Sequence, residues 1–172
     1  MRKFNRLIAA AVGVLAMAGI ARAEDYKVDD PAAFSKALTG ATVKLDQGIK
    51  ATAAQGTPIS AKFELDHQGA LQLSVYTAKG TQFSEVVVDY KTGMAKPGEV
   101  ITDADDLKAA KTQNDAMAKA KTTLEQAAAK AATDNAGYTV VAVMPSLQGT
   151  SPVADVTLMK GTEIKKATVK LD

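Results

Sequence analysis

An internal repeat constrains this chain more than any other feature of its sequence. Lys-Gly-Thr-Gln-Phe at residues 79–83 returns as Lys-Gly-Thr-Glu-Ile at residues 160–164. Each pentapeptide separates two segments of alternating apolar and polar residues, and its glycine supplies the positive φ that tight hairpins require. Because the segments around both turns follow in the same order, we expect two copies of one folding unit.

Each copy begins with a segment of helical periodicity. Small or apolar residues recur at i, i+3, i+4, i+7 and i+8 from Leu45 in the first copy and from Leu124 in the second. This spacing places them on one stripe of an α-helix. Thr122 with Glu125 predicts a capping box for the second helix, and Thr42 is the predicted cap of the first.

Three strands are predicted after each helix. Alternation of apolar and polar residues, with a period of two, predicts strands at residues 59–65, 71–77, 83–90, 138–144, 153–158 and 164–171. Turns are expected over residues 67–70 and 145–152. The apolar parity changes after Phe83 and after Ile164, which predicts a bulge or a late start in the last strand of each copy.

The predicted fold class is α+β. It consists of two αβββ units, each a helix packed on a three-stranded antiparallel sheet, joined by a helical linker. Unit 1 spans residues 41–93, the linker 94–121 and unit 2 residues 122–172, and an N-terminal segment of residues 24–40 precedes them. The pattern leaves open whether the two sheets are continuous or form separate layers.

The linker has a composition of high helix propensity, rich in alanine and lysine. A thin stripe of small or apolar residues runs along it, formed by Leu107, Ala110, Asn114, Met117 and Ala118. A partly frayed linker is the alternative reading. In the N-terminal segment, Asp30 followed by Pro31 predicts a helix start, and Phe34 with Leu38 is expected to cover a sheet edge.

The first residues predict the compartment. Residues 1–6 carry positive charge, residues 7–20 are apolar and uncharged, and Ala-Arg-Ala at 21–23 has the form of a cleavage site. This layout predicts a secretory signal peptide, residues 1–23, cleaved after Ala23. A membrane anchor is the alternative, but the apolar run is shorter than the roughly 20 residues that a spanning helix needs. A periplasmic or secreted protein without a membrane span is therefore expected.

Cleavage would remove the apparent basicity of the chain. The full sequence has 21 basic and 19 acidic residues. Four of the basic residues lie in the predicted signal peptide, Arg2, Lys3, Arg6 and Arg22. The remainder is slightly acidic, so nothing predicts nucleic-acid binding, which needs a basic stripe. With no cysteine in the chain, a hydrophobic core alone has to stabilise the fold.

No residue type or spacing predicts catalysis, cofactor binding or a metal site. His67 is the only histidine and lies in a predicted turn. Asp103, Asp105 and Asp106 are expected in the first turn of a helix, and they lack the glycine and distal glutamate of a calcium loop. The methionines are read as fillers of core gaps rather than ligands, namely Met94, Met117, Met144 and Met159. An enzyme is not expected.

The order of the elements, with Val-Val-Val-Asp-Tyr-Lys-Thr-Gly at residues 86–93, resembles the PepSY domain. In that family a Val-x-Val-Asp strand runs into a Thr-Gly turn. The second copy departs from this pattern, since Val-Lys-Leu-Asp at residues 169–172 has no Thr-Gly after it. The resemblance implies an extracytoplasmic, non-enzymatic module of the kind found in propeptides of secreted metallopeptidases and proposed to restrain peptidases.

Two functions follow as hypotheses. The first is a non-catalytic envelope binding module that engages or restrains a peptidase, or binds a peptide by strand addition at a sheet edge. The alternative is a structural, scaffolding or self-associating protein, favoured by lysines that discourage strand addition, Lys62, Lys79, Lys160, Lys165, Lys166 and Lys170. Small-molecule carriage would need a cavity, and an aromatic content of 5% offers little to line one.

Overall fold

Seven strands and four helices make up residues 26–172, the part of the chain that the computed structural model describes. The predicted signal peptide of residues 1–23 lies outside this range. The elements in chain order are α1 (Pro31–Leu38), α2 (Leu45–Ala51), β1 (Thr57–Leu65), β2 (Leu71–Lys79), β3 (Gln82–Val88), β4 (Glu99–Val100), α3 (Ala104–Met117), α4 (Leu124–Asp134), β5 (Thr139–Gln148), β6 (Ser151–Lys160) and β7 (Glu163–Lys170).

One antiparallel sheet contains all seven strands, in the order β4-β3-β2-β1-β5-β6-β7. The predicted fold of two αβββ units, each with its own three-stranded sheet and joined by a helical linker, is therefore wrong. Of the two arrangements that the pattern left open, the sheets are continuous. The two halves join where Ala61 pairs with Val143 and Lys62 pairs with Ala142. The physical reason lies in β5, whose residues from Val140 to Ser146 are all buried. A strand that is apolar on both faces must be shielded from water on both faces. A strand at the edge of an isolated three-stranded sheet with one helix would be shielded on one face only.

Helices cover both faces of this sheet. On one face, α2 and α4 pack with Leu45 and Leu124 against the odd-numbered residues of β1, among them Ala61 and Phe63. On the other face, α3 lies over the even-numbered residues, because Gln113 bonds to Ser60. The arrangement is three layers, with the sheet in the middle.

The prediction that residues 94–121 form a linker is also wrong. This segment contributes β4 to the sheet edge and then packs α3 onto β1 and β5. The helix buries Ala110, Gln113 and Ala116, whereas Leu107 of the predicted stripe is 36% exposed. Small alanine side chains allow α3 to approach the sheet closely, which the apolar stripe did not indicate.

Both predicted Lys-Gly-Thr hairpins are confirmed. Gly80 joins β2 to β3 with φ 64°, and Gly161 joins β6 to β7 with φ 58°. The copies also share a contact outside the hairpins. The backbone N–H groups of Thr42 and Val43 donate to the Tyr90 carbonyl, and those of residues 121 and 122 donate to the Leu171 carbonyl.

Several local predictions fail. The register of β3 and β7 is continuous past Phe83 and Ile164, and the irregularities lie in β1 between Pro58 and Ser60 and in β5 between Val140 and Ala142. The changes of apolar parity occur beside the hairpins, where Phe83 is half-buried and Ile164 is exposed. Burial therefore does not require the apolar residues there to lie on a single face of the strand.

The predicted turn at residues 145–152 is mostly strand. β5 continues through Pro145, and the hairpin turn lies at Gly149 and Thr150. Pro145 is tolerated because β1 pairs with β5 only at residues 142 and 143, which leaves β6 as the strand neighbour of Pro145.

The helix caps agree in part with the sequence. Asp30 caps α1 with Pro31 as its first residue, as expected. The capping box of α4 is formed by Thr123 and Gln126, one residue beyond the predicted pair. The Thr42 hydroxyl donates to the Lys91 carbonyl instead of capping α2. Within residues 26–172, no helix is both long enough and apolar enough to span a membrane.

Candidate functional site

A cavity of about 420 Å³ lies between α3, the even-numbered face of β1 and β2, and the first described residues. We call residues 26–30, which close one side of it, the N-terminal strap. The other lining residues are Phe34, Ser60, Lys62, Glu64, Leu65, Tyr76, Asp106, Ala109, Ala110, Gln113 and Met144. Binding cavities of proteins are commonly of this size or larger.

Tyr26 fixes the strap at the centre of the sheet. The pairing of β1 with β5 stops at Lys62, and the next carbonyl of β1, that of Phe63, accepts a hydrogen bond of 2.6 Å from the Tyr26 hydroxyl. The Lys166 ammonium of β7 donates to the Tyr26 carbonyl at 2.6 Å. At its other end the strap enters α1 through the Asp30 cap. The strap is therefore held at both ends across the sheet.

The floor of the cavity is charged. Lys62 and Glu64 lie two residues apart on β1, so their side chains share a face, and the ammonium is 2.6 Å from the carboxylate. The Lys62 ammonium also lies 5.6 Å from the centre of the Tyr76 ring. The Ser74 hydroxyl contacts carboxylate oxygens of both Glu64, at 2.9 Å, and Glu85, at 2.6 Å. This network fixes the orientations of the Lys62 and Glu64 side chains on the cavity floor.

Burial shifts the pKa values of the two tyrosines and of Lys62 at the cavity. It raises the pKa of Tyr76 to about 12, although the Lys62 charge opposes the shift. Burial acts in the same direction on Tyr26 and raises the pKa of its hydroxyl above the usual range. For Lys62, burial lowers the pKa, but Tyr76 and Glu64 together outweigh it, so the pKa of this ammonium is raised. At neutral pH both phenols are neutral and Lys62 is charged.

Helix α3, which lines one side of the cavity, contacts the sheet through a buried hydrogen bond. The Ser60 hydroxyl donates to the Gln113 carbonyl oxygen at 2.6 Å, and the Gln113 amide lies 3.8 Å from the Met144 sulfur. Ser60 and Gln113 are both buried. This contact holds α3 over the cavity.

Carboxylates predominate around the cavity. Asp29, Asp30 and Asp106 are exposed at its rim and Glu64 lies on its floor, whereas Lys27 and Lys62 are its lysines. Lys62 is already paired with Glu64. The entrance therefore favours a positively charged group over a negative one.

The structure separates the residues considered as metal ligands. His67 is exposed in the β1–β2 turn, away from the cavity lining. The Asp103 carboxylate accepts hydrogen bonds from the backbone N–H groups of Asp105 and Asp106, as a helix cap does. In the described chain, no three His, Cys, Asp or Glu side chains are grouped so as to hold a metal ion. Among the methionines, Met144 lines the cavity while Met159 is in the core.

Sequence reasoning missed the cavity. Lys62 and Glu64 occupy polar positions of a predicted strand with one buried face, and Tyr76 lies in the next predicted strand with no feature that marks it. Nothing in the sequence around Tyr26 indicated that this residue lines a cavity. A hint was present in β5, because Val141 and Val143 made its second face apolar and indicated a covering layer on each side of the sheet.

The shifted ionisation of Tyr76 gives a testable pH dependence. Its phenol binds its proton more tightly in the folded state than in the unfolded chain, whose tyrosine pKa is about 10. Its contribution to stability should be complete below pH 10 and be lost as the pH rises to about 12. Urea unfolding at pH 8 to 12 of the wild type and of Tyr76→Phe measures this. Equal losses of stability in both proteins over that range would contradict it.

Comparisons with known proteins give no relative: no family model, no curated protein and no solved structure matches the chain.

Proposed function

We propose that the protein is a non-catalytic binding module whose cavity receives a positively charged side chain of a peptide or protein partner. The observation that carries this proposal is the composition of the cavity. Four carboxyl groups and two tyrosines line about 420 Å³, against two lysines. Lys62 and Glu64 pair with each other, which leaves three carboxyl groups against Lys27. A lysine or arginine side chain combines an apolar stem with a cationic end, and such a cavity complements both parts.

The ionisation of the cavity supports a binding role over catalysis. A catalytic tyrosine or lysine usually has a pKa shifted towards neutrality, so that it can transfer a proton. Here the pKa values of Tyr76 and Lys62 are both raised, which keeps their protons in place at neutral pH. The Ser60 hydroxyl donates to an amide oxygen, which is not a base that would activate it.

The PepSY resemblance and the envelope location are part of this proposal. A module that holds a basic side chain fits the predicted role of engaging or restraining a peptidase, or of binding a peptide. A peptide that enters the cavity would lie along the acidic rim, between the N-terminal strap and the first turn of α3.

The test is titration of the protein with short capped peptides, followed by NMR and calorimetry. Acetyl-Gly-Lys-Gly-amide should bind and shift the amide signals of Ala109, Gln113 and Met144. The same peptide with norleucine, which lacks the ammonium group, should bind up to about fivefold more weakly, since one exposed charge pair contributes up to about 1 kcal/mol. Equal binding of the two peptides would contradict the proposal.

A matched pair of variants localises the interaction. Asp106 lines the cavity and Asp105, its neighbour in the same helical turn, does not. Asp106→Asn should weaken binding of the lysine peptide about threefold, while Asp105→Asn should leave it unchanged. If both variants weaken binding equally, the peptide responds to the general charge of the helix end and the cavity is not its site.

A further inference from the structure

The outer edge of β3 is covered by the chain itself. After the turn that follows β3, residues 94–101 run back along this strand. The backbone N–H groups of Lys96 and Ile101 donate to the carbonyls of Val87 and Phe83, at 2.9 and 3.0 Å. β4, at the end of this segment, pairs Val100 with Ser84. The third strand of the first repeat is therefore not an open edge.

β7 is the equivalent strand of the second repeat, and it ends the sheet. The Leu171 N–H donates to the Pro152 carbonyl on β6. Because successive residues of an antiparallel strand direct their backbone groups to opposite sides, those of Ile164, Thr168 and Lys170 point away from β6. In the part of the chain that the structure describes, no strand lies on that side. The first repeat thus shows what kind of segment fits this edge, namely an extended one.

The charge of β7 indicates the chemistry of that segment. Lys165 and Lys170 are exposed on the strand, and neither forms a salt bridge within residues 26–172. Glu163, the one acidic residue of β7, accepts a hydrogen bond from the Tyr138 hydroxyl. A second copy of β7 would bring further lysines to the same edge, and like charges on neighbouring strands are destabilising. A segment with carboxylates would meet opposite charges.

We propose that the outer edge of β7 binds an extended acidic peptide segment of a partner protein, which adds an eighth strand to the sheet. Main-chain hydrogen bonds to β7 would supply affinity, and its lysines would select the acidic sequence. The lysines, expected from the sequence to discourage strand addition, would then discourage neutral and basic strands only. This site is separate from the cavity, and it takes a ligand of opposite charge.

The experiment is an NMR titration of the full chain with acetyl-Glu-Val-Glu-Val-Glu-amide. The amide signals of Ile164, Thr168 and Lys170 should shift and become protected from hydrogen exchange, while the corresponding lysine-valine peptide should have no effect. Thr168→Pro removes an outward N–H from an edge strand, where proline is tolerated, and should abolish binding. Thermal unfolding checks that this variant is folded.

A charge-matched pair of double variants completes the test. Lys165→Glu/Lys170→Glu should weaken binding of the acidic peptide at least tenfold. Lys108→Glu/Lys111→Glu makes the same change of net charge on exposed positions of α3 and should leave binding unchanged. Equal effects of the two double variants would overturn the proposal. Protection of the β7 amides without peptide, or a dimer by light scattering, would also overturn it, because the edge would then already be covered.

Discussion

Phe63→Ala is expected to lower the free energy of unfolding by about 3–5 kcal/mol, the range for truncating a buried phenylalanine. The Phe63 side chain is 1% exposed and lies on β1, in one core cluster with Leu45 of α2 and Leu124 of α4. Its loss leaves a void between helices of both repeats and the sheet. Urea unfolding followed by circular dichroism measures the change. Phe83→Ala, at the half-buried start of β3, is the matched control and should cost less.

The same experiment tests the continuity of the sheet. Because β1 and β5 pair and the core includes residues from both repeats, unfolding should occur in one transition that Phe63→Ala shifts as a whole. Two transitions in the wild type, with only the first moved by the substitution, would show that the repeats unfold independently. That outcome would contradict the single core.

The local elements of this fold were predictable because short-range physics determines them. Each of the patterns that predicted them involves only a few neighbouring residues: the alternation along β1, the helical stripe that begins at Leu124, and the glycine of each Lys-Gly-Thr turn. For the joining of the repeats, the apolar second face of β5 indicated a strand covered on both sides, but nothing in the sequence showed which edge of the first repeat meets it. Only two residue pairs, with Ala61 and Lys62 on the first strand, connect β1 to β5, and neither residue type marks a central position.

The position of α3 explains why the cavity was missed. Polar residues at alternate positions of a strand indicate a solvated face when the other face is apolar. Here α3 and the N-terminal strap cover part of that face, and the polar residues are satisfied by one another, as in the pairs Lys62–Glu64 and Ser60–Gln113. Such pairing depends on the tertiary fold, and the helical periodicity of α3 was too weak to reveal its buried side.

Gln113→Leu should lower the free energy of unfolding by about 1–3 kcal/mol, because it leaves the Ser60 hydroxyl without its partner. Ser60 is 1% exposed, so water does not readily replace the lost hydrogen bond. If residues 104–117 formed an undocked linker, the substitution would change stability by no more than about 0.5 kcal/mol. Urea unfolding distinguishes the two cases. Asp115→Leu, on the exposed side of the same helix, is the control and should have a small effect.

A double-mutant cycle shows whether the two side chains act on each other. Ser60→Ala removes the hydroxyl, and in Ser60→Ala/Gln113→Leu both polar groups are replaced by apolar ones, which can be nearly neutral. The double variant should therefore be more stable than Gln113→Leu alone, with a coupling of about 0.5–3 kcal/mol. Additive effects would mean that Ser60 and Gln113 contribute separately. In that case the alanines of α3, rather than this hydrogen bond, would be what holds the helix over the cavity.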